Sequence, residues 1–510
     1  MTTPLGVPST GQAEPTSRGS VDSAPSRRER LALALLLAVA AALRLREAAA
    51  TPLWTDEIIT LWVARMPLPE LFRAVAADVH PPLHFLLVKG WRAIGGESSL
   101  WIKSLSVVFG VALVALVWRA GTALFGRAAG WIAATLLTVH GAHLYVSQES
   151  RFYSLLWLWF VGASWAAWRW AEGGTRRDAA ALVACLIGGL YTHYLSLIVF
   201  GFLFLWGLLV PGRRPRARAA WVALFALAGL AFLPQLPTFL HQLATNSTAH
   251  WLRAPDLRNL VDLARKVSFL ALYLTPLLAV LCALPLLRAS QRRAATLLAA
   301  VSLGPVLLCW VLTRAGMHVF TERYMLFAVP FVCLLAAGGL VAPVGDAGAA
   351  STAARAARAA TLVVLLAAGL RTALIRTPFP EAAEQRAAGD WLAAHAAPGD
   401  TIWLADIHSL FFLAHHRPAL GVQRLVWWSE DVPYYEGGGL IPRAWIVPGA
   451  AFDTLATAGR WWGMNTEQGG TRPAPTLRRF DALGERVGPR LELVTLWRRP
   501  RNGVAPAGAP

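Results

Sequence analysis

Long apolar blocks alternate with short polar stretches along most of the chain. The blocks are apolar around their whole circumference and lack the single stripe of an amphipathic helix, a pattern typical of membrane-spanning helices. We place spans at residues 31–47, 100–119, 127–144, 153–170, 178–192, 195–211, 219–237, 264–287, 294–313, 322–342 and 359–376. The pattern therefore predicts a polytopic α-helical membrane protein with about eleven transmembrane helices.

Arginine clusters between these blocks predict how the chain crosses the membrane. Residues 212–218 read GRRPRAR and residues 288–293 read RASQRR, and similar clusters precede the first span and flank the turn at 119–127. Because basic loops stay in the cytoplasm, we expect the N-terminus inside and the C-terminus outside the cell membrane. Residues 1–30, rich in Ser, Pro, Gly and Arg, are then a disordered cytoplasmic tail.

Two regions on the predicted outer side are not spans. Residues 80–96, HPPLHFLLVKGWRAIGG, are short and polar for a crossing of about 30 Å, and they predict an interfacial helix in the first outer loop, 48–99. After the transmembrane domain, 31–377, the sequence changes character: 381–396 has a helical pattern, and TIWLA, AWIVPG and LELVTLW suit strands. Residues 378–510 therefore predict a small extracytoplasmic α/β domain.

The composition narrows the choice of partners. Hydrophobic residues make up 56% of the chain, only 15% of residues are charged, and the formal net charge is +18. Such a charge would suit a nucleic acid, but the arginine clusters between spans already account for it, so we expect no nucleic-acid partner. The four cysteines lie inside apolar blocks without CxxC spacing, which predicts neither a disulfide framework nor a zinc site.

The polar clusters suited to chemistry all fall on the predicted outer side. They occur in TPLWTDEIITLW (51–62), SQESRFY (147–153), YTHY (191–194) and TERY (321–324). The candidate residues in them are Asp56, Glu57, Glu149, Arg151, Tyr153, His193, Arg323 and Tyr324. Because the topology was derived from other residues, the convergence of these clusters on one face predicts a functional site there.

Each cluster also has a structural interpretation. The adjacent acids suit the first turn of a helix that has Thr55 as its N-cap. The arginine of SQESRFY suits an interfacial anchor, and Glu322 would form a surface ion pair with Arg323 or Arg314. A lone histidine in a turn is more often structural than catalytic.

One chemistry uses all of these residue types: attack of an acceptor hydroxyl on the anomeric carbon of a sugar carried by a membrane lipid phosphate. The hydroxyl needs a carboxylate base, and the leaving phosphate needs positive charge. Asp56 and Glu57 are the catalytic candidates, with Asp56 as the base. Glu57 or Glu149 would position the acceptor or a metal. Arg151 or Arg323 would hold the phosphate.

The motifs resemble the GT-C membrane glycosyltransferases in their order and side. TDE, HPPLHFLL, LFGRAAG, SQESRFYSL and ERYMLFAVP follow one another within residues 30–340. The chain is most similar to bacterial relatives of the protein O-mannosyltransferases and of the lipid A aminoarabinose transferase. The resemblance implies a polyprenyl-phosphate sugar donor and an inverting transfer on the extracytoplasmic face. It also implies an aspartate base in the first outer loop, matching Asp56.

The same resemblance implies roles for other residues. His80 belongs to the HPP motif beside the site, and Glu149 matches the second acidic region. These two would position the acceptor or a metal. Arg151 with Tyr153, and Arg323 with Tyr324, would bind the donor phosphate.

The acceptor and the cofactor stay open. The C-terminal domain is not the sugar-binding repeat of eukaryotic mannosyltransferases, so a protein acceptor is not implied. No lysine stands beside HPP, where some lipid-modifying relatives have a basic residue. We therefore expect a cell-envelope acceptor that is a glycan, a lipid or a protein. A divalent cation is an open question, because no metal-ligand spacing decides it.

Two other functions remain as alternatives. A transporter or lipid flippase would place ionisable residues near mid-membrane and repeat its halves, whereas here those residues sit at span ends on one face. A non-catalytic envelope assembly protein would use the aromatic stretch WWSEDVPYY (427–435) to recognise a partner. These aromatic residues equally suit a core or a membrane interface.

Overall fold

The computed structural model of the chain describes residues 25–210, 217–246, 255–341, 352–375, 380–420, 422–427, 438–456, 460–467 and 474–499. Most of the predicted tail, residues 1–24, lies outside these ranges. The last part of the predicted tail is helical, because the first helix begins at Arg27 and is capped by Ser26.

The membrane region and its loops are built from helices. They are α1 (Arg27–Ala50), α2 (Thr55–Arg65), α3 (Leu68–Ala77), α4 (Leu83–Gly95), α5 (Ser99–Phe125), α6 (Arg127–Val139), α7 (Gly141–Ser147), α8 (Tyr153–Ala171), α9 (Arg176–Leu190), α10 (Leu195–Leu209), α11 (Ala217–Phe232), α12 (Leu236–Asn246), α13 (Leu257–Val267), α14 (Thr275–Leu287), α15 (Ala289–Arg314), α16 (Glu322–Met325), α17 (Val329–Val341) and α18 (Thr352–Ile375).

Each predicted span coincides with one helix or with two consecutive helices. Within the described ranges, five helical segments are long and apolar enough to cross a membrane. They are Ser99–Phe125, Arg218–Thr245, Ala289–Arg314, Glu322–Val341 and Thr352–Ile375. The remaining predicted spans are shorter, less apolar or interrupted, as at His140 between α6 and α7. The helical membrane architecture is therefore clear, and the number of crossings stays a prediction.

The predicted span 264–287 is not one straight helix. The chain bends by 81° between α13 and the segment that continues into α14. Phe269 and Leu270 have φ of 56° and 58° at the bend, values that side chains with a Cβ rarely adopt. Two contacts hold the bend: Thr372 donates a hydrogen bond to the Phe269 carbonyl at 3.0 Å, and the Phe269 ring packs 4.5 Å from His140.

Ion pairs at one end of the bundle join the loops that carry the arginine clusters. Arg127, at the start of α6, contacts Glu29 at the start of α1 at 3.0 Å. Arg293 in α15 pairs with Glu172 at the end of α8. The start of α1 therefore lies beside the start of α6, and the end of α8 beside the start of α15, as the arginine pattern predicts for segments on one face of the membrane.

The described residues of the C-terminal region contain a six-stranded sheet and four α-helices. The strands follow the order β3-β2-β1-β4-β6-β5, parallel from β3 to β4 and antiparallel beyond. Their bounds are β1 Thr401–Leu404, β2 Val422–Trp427, β3 Ile446–Pro448, β4 Trp461–Thr466, β5 Glu485–Val487 and β6 Val494–Arg499, and the helices are α19 Pro380–His395, α20 Ile407–His416, α21 Gly449–Ala456 and α22 Ala474–Leu483.

The α/β prediction for this region is confirmed, but only half of its strands were predicted. TIWLA and AWIVPG contain β1 and β3, and LELVTLW overlaps β6. The missed strand β4 reads WWGMNT and is buried at every position, so it lacks the alternation that marks a half-buried strand. Trp427 ends β2 and packs against the core of this region, whereas Trp428, Tyr434 and Tyr435 lie outside the described residues.

Substitutions at the bend separate packing from backbone strain. Phe269→Ala should destabilise the protein by about 3 kcal/mol, because it empties a buried ring site. Leu270→Gly should stabilise it by about 0.5 kcal/mol, because relief of the left-handed conformation slightly exceeds the entropy cost of glycine. Denaturant unfolding of the purified protein measures both changes. Equal destabilisation by the two substitutions would contradict this account of the bend.

Candidate functional site

Five segments meet at the end of the bundle opposite the arginine-rich loops. They are the start of α2, the α3–α4 connection, the α7–α8 connection at 148–152, the turn at 191–194 and the start of α16. The turn at YTHY separates α9 from α10 as predicted, and the residue before α4 is Pro82 of the HPP motif. Every predicted site residue belongs to one of these segments or to the first residue of α8.

Asp56 is the accessible carboxylate of this cluster. Its side chain is 33% exposed, and its Oδ2 lies 3.5 Å from Arg323 and 3.8 Å from Arg151. Arg151 also donates to the Asp56 carbonyl at 3.2 Å and to the Thr60 hydroxyl at 2.9 Å. Two cations therefore face one partly exposed acid at the start of a helix.

Arg323 links Asp56 to the second acid. Its guanidinium binds the buried carboxylate of Glu149 as well as Asp56. The aromatic rings of Trp54, Tyr145 and Tyr153 surround it, with centroids 4.8, 5.7 and 4.8 Å from the guanidinium carbon. Rings at these distances stabilise a cation and fix its orientation.

Glu149 differs from Asp56 in its surroundings. Its side chain has no exposed surface, and burial raises the pKa of this carboxyl to about 7 although Arg323 opposes the shift. Its Oε1 is buried and has no hydrogen-bond partner among the described residues. One oxygen of Glu149 is therefore bound to Arg323, while the other has a free acceptor position.

Glu57 points away from the site, although it follows Asp56 directly. It is fully buried, and its carboxylate accepts hydrogen bonds from the backbone N–H of Ser150 at 2.6 Å and of Trp54 at 3.0 Å. Lys103 of α5 lies 3.5 Å away and also donates to the Thr51 hydroxyl at 2.8 Å. These contacts suit a residue that positions the site, in place of the predicted direct role in catalysis.

The start of α2 differs from the prediction by one residue. Thr55 is the first helical residue and Trp54 occupies the N-cap position. The Trp54 side chain cannot accept a hydrogen bond from the first turn, so Glu57 reaches back to the Trp54 N–H. Both acids do lie in the first turn, where a negative charge is favourable.

Two histidines, His80 and His193, also belong to the site. His80 lies 3.3 Å from Asp78 through Nδ1, and its ring is 5.3 Å from that of His193. His193 packs 4.9 Å from the Tyr324 ring. Burial holds the pKa of His193 well below its usual value, so this imidazole is neutral at pH 7. Tyr324 in turn packs 6.2 Å from Tyr153.

Glu322 does not pair with its neighbours as the structural interpretation of TERY would require. It binds Lys266, and it accepts a hydrogen bond from Asn259 at 3.1 Å, both on α13. Arg323 therefore pairs with Asp56 and Glu149 and not with its neighbour Glu322. The pairing of Glu322 with Arg323 or Arg314 is therefore wrong.

Among the described residues, no group of three or more His, Cys, Asp or Glu side chains is arranged to hold an ion. Asp56 and Glu149 are near one another, but the guanidinium of Arg323 already contacts both. The cation bound by these two carboxylates is therefore the guanidinium of Arg323.

Sequence reasoning missed two residues that shape the site. Lys103 lies within a predicted span, where an ionisable residue requires a partner, and this signal could have indicated a buried acid. Asp78 lies two residues before the HPP motif and contacts its first residue, His80. Its position in the motif-bearing loop was the only sequence signal for it.

A cavity of about 490 Å³ lies at the other end of α5 and α8. Its lining includes Arg119, Trp165 and Arg169, and it contains none of the predicted site residues. Its three acids, Glu29, Glu172 and Asp178, are each bound to an arginine, as in the contact of Asp178 with Arg169 at 2.7 Å.

Solved structures define the class to which this fold belongs. The chain is similar to the ArnT protein of Cupriavidus metallidurans bound to undecaprenyl phosphate, with 14% identity over 94% of this chain and 99% of that one and a TM-score of 0.60. It is also similar to the archaeal oligosaccharyltransferase AglB of Archaeoglobus fulgidus, in complex with an inhibitory peptide and a dolichol-phosphate. Here the identity is 12%, the coverage 86% and 70%, and the TM-score 0.52.

The chain has the fold of the GT-C glycosyltransferases, and the predicted resemblance is confirmed. At identities this low the likeness establishes the fold alone. No protein-family model and no curated protein matches the sequence.

The buried ion pair beneath the site gives a stability prediction. Lys103→Met leaves the Glu57 carboxylate buried without its cation, which should cost about 3–5 kcal/mol at pH 8. Burial raises the pKa of Glu57, so the folded variant takes up a proton as the pH falls and the loss should shrink toward pH 5. Denaturant unfolding at both pH values measures the effect.

The double variant Lys103→Met with Glu57→Gln is the matched control, because it removes both charges. It should recover most of the lost stability at pH 8. A single variant as stable as the wild type at pH 8 would show that the pair does not support the site.

Proposed function

We propose that this protein is a membrane glycosyltransferase that moves a sugar from a polyprenyl-phosphate carrier to a cell-envelope acceptor, with inversion, on the extracytoplasmic face. The observation that carries the proposal is the arrangement of one partly exposed carboxylate, Asp56, against the guanidinium groups of Arg151 and Arg323. A base and a phosphate-binding pair are the two requirements of the reaction.

The exposure of the two side chains decides which acid we assign as the base, because Asp56 is partly exposed and Glu149 is buried. Asp56 accepts the proton of the acceptor hydroxyl, whose oxygen then forms a bond to the anomeric carbon. The bond from that carbon to the phosphate oxygen breaks, and its electron pair leaves with the polyprenyl phosphate. Because the acceptor attacks directly, a single displacement inverts the configuration. Glu149 is buried and bound to Arg323, so it tunes the arginine and is a poorer candidate for the base.

The leaving phosphate is bound by arginines in this scheme. The Nε atoms of Arg151 and Arg323 are buried without hydrogen-bond partners among the described residues. Buried donors normally have partners, and the exceptions call for an explanation such as an absent ligand. A phosphate between the two guanidinium groups would offer several strong acceptors. The rings of Tyr153 and Tyr324, whose centroids are 6.2 Å apart, would line the path of the phosphate.

The similar structures support this donor chemistry. ArnT is bound to undecaprenyl phosphate and AglB to a dolichol-phosphate, so both folds accept a polyprenyl phosphate. We extend that ligand class to this chain on the ground of its own arginines. The acceptors of these proteins are not transferred, because the similarity is limited to the fold.

Replacement of the base gives the direct test of the reaction. Asp56→Asn should reduce release of polyprenyl phosphate from a polyprenyl-phospho-sugar by about 10²–10⁴-fold, the usual contribution of a general base. Release is measured with protein purified into lipid nanodiscs, using a panel of donor sugars and water as the acceptor. Glu70→Gln is the matched control, because Glu70 is an exposed acid of the same loop away from the site. Equal activity of Asp56→Asn and wild type would contradict the assignment.

The pKa of Glu149 predicts a pH dependence of donor binding. Below about pH 7 the carboxyl is neutral and leaves the charge of Arg323 to the donor phosphate. Above it, the carboxylate neutralises that charge. The KM for the donor should therefore fall about fivefold from pH 8 to pH 6, a usual size for coupling between neighbouring sites.

The variant Glu149→Gln is neutral at every pH and provides the control. Its KM should stay near the low value that the wild type reaches at pH 6. If wild type and variant showed the same slope of KM against pH, Glu149 would not be the titrating group.

A further inference from the structure

The helix that carries Asp56 is shared between two parts of the molecule. On α2, Asp56 and Thr60 face Arg151, while Thr55, Ile58 and Trp62 lie on the adjoining face at helical spacing. That second face packs against the C-terminal region, where Ile58 belongs to the same buried cluster as α20 and the sheet. An isolated helix of this length is marginal in water, so its position depends on what packs against it.

Contacts from the C-terminal region hold the segment around Asp56 at several points. The Nδ1 of His408 lies 2.9 Å from the Thr55 hydroxyl, directly before Asp56 in the chain. The Nε2 of His416 donates to the Leu53 carbonyl at 2.9 Å. Six residues beyond Asp56 on the same helix, the Trp62 ring packs edge-on against Phe411, 5.1 Å between centroids.

The start of α20 is itself fixed to the sheet. Asp406 is buried and caps α20 through the Ser409 N–H at 2.8 Å. Its other oxygen accepts hydrogen bonds from the Ser409 hydroxyl at 2.7 Å and from the Thr466 N–H of β4 at 2.7 Å. His408 lies in the chain between Asp406 and Ser409, the two residues of this cap. Hydrogen bonds therefore join the start of α20 to β4 through Asp406 and to the start of α2 through His408 and Thr55.

We infer that His408 is a positioning residue, through which the C-terminal domain sets the orientation of Asp56 toward the acceptor and the donor. The inference rests on the proposed function, because it concerns the same carboxylate. Catalysis depends steeply on geometry, and a displacement of about 1 Å can reduce a rate about 100-fold. The C-terminal domain is then part of the catalytic unit, because it positions the proposed base.

The test compares kcat and KM for donor cleavage in full-length protein in nanodiscs. His408→Ala should reduce kcat by about tenfold or more, with the donor KM within about twofold of wild type, because the arginines are untouched. Thr55→Val removes the other partner and should have the same effect. The double variant should lose no more kcat than either single variant, because both substitutions remove the same contact between His408 and Thr55.

Two further variants distinguish positioning from general damage. His408→Asn keeps a polar nitrogen or oxygen near the Nδ1 position and should recover most of kcat. His415→Ala alters the same helix without a hydrogen bond to the Asp56 segment, and its kcat should equal that of wild type. Unchanged kcat in His408→Ala and Thr55→Val, additive losses in the double variant, or a loss that His408→Asn does not recover would each overturn the inference.

A second readout does not depend on turnover. Amide hydrogen exchange at residues 55–60 should be about tenfold faster in His408→Ala than in wild type or His415→Ala, since α2 loses its anchor. Unchanged exchange would overturn the inference. Failure of the proposed function gives a different result: wild-type protein would release no polyprenyl phosphate from any donor, while the exchange difference at α2 persisted.

Discussion

The guanidinium of Arg323 contacts both carboxylates of the candidate site, and the other groups are arranged around it. It binds Asp56 and Glu149 and is enclosed by three aromatic rings. A cation with limited access to water is stable only with such partners. The carboxylates come from α2 and from the α7–α8 connection, so the arginine at the start of α16 draws three distant parts of the chain together.

The geometry of α2 explains why the adjacent acids Asp56 and Glu57 have different environments. Successive residues of a helix are rotated by about 100°, so Asp56 and Glu57 cannot face the same partners. Glu57 turns inward to Lys103 and Ser150, while Asp56 faces Arg151 and the solvent. The inner acid fixes α2 against α5 and the α7–α8 connection, and the outer acid is left accessible for chemistry.

The sequence was a good guide to which segments meet and a poor guide to how single side chains pair. The arginine clusters and the apolar blocks correctly grouped the segments of Asp56, Glu149, Arg151 and Arg323 at one end. Periodicity could not show that Glu57 pairs with Lys103, because that contact joins residues of two separate helices. It also missed β4, which is buried on both faces, and the bend at Phe269, which depends on contacts from distant helices.

The central claim is that a lipid phosphate binds between Arg151 and Arg323, beside Asp56. The most direct measurement is a density map of the protein in nanodiscs with bound undecaprenyl phosphate. The account predicts the phosphate within about 3 Å of guanidinium nitrogens of Arg151 or Arg323, with the Asp56 carboxylate next to it. A phosphate bound instead at the Arg119 cavity, at the other end of the bundle, would contradict it.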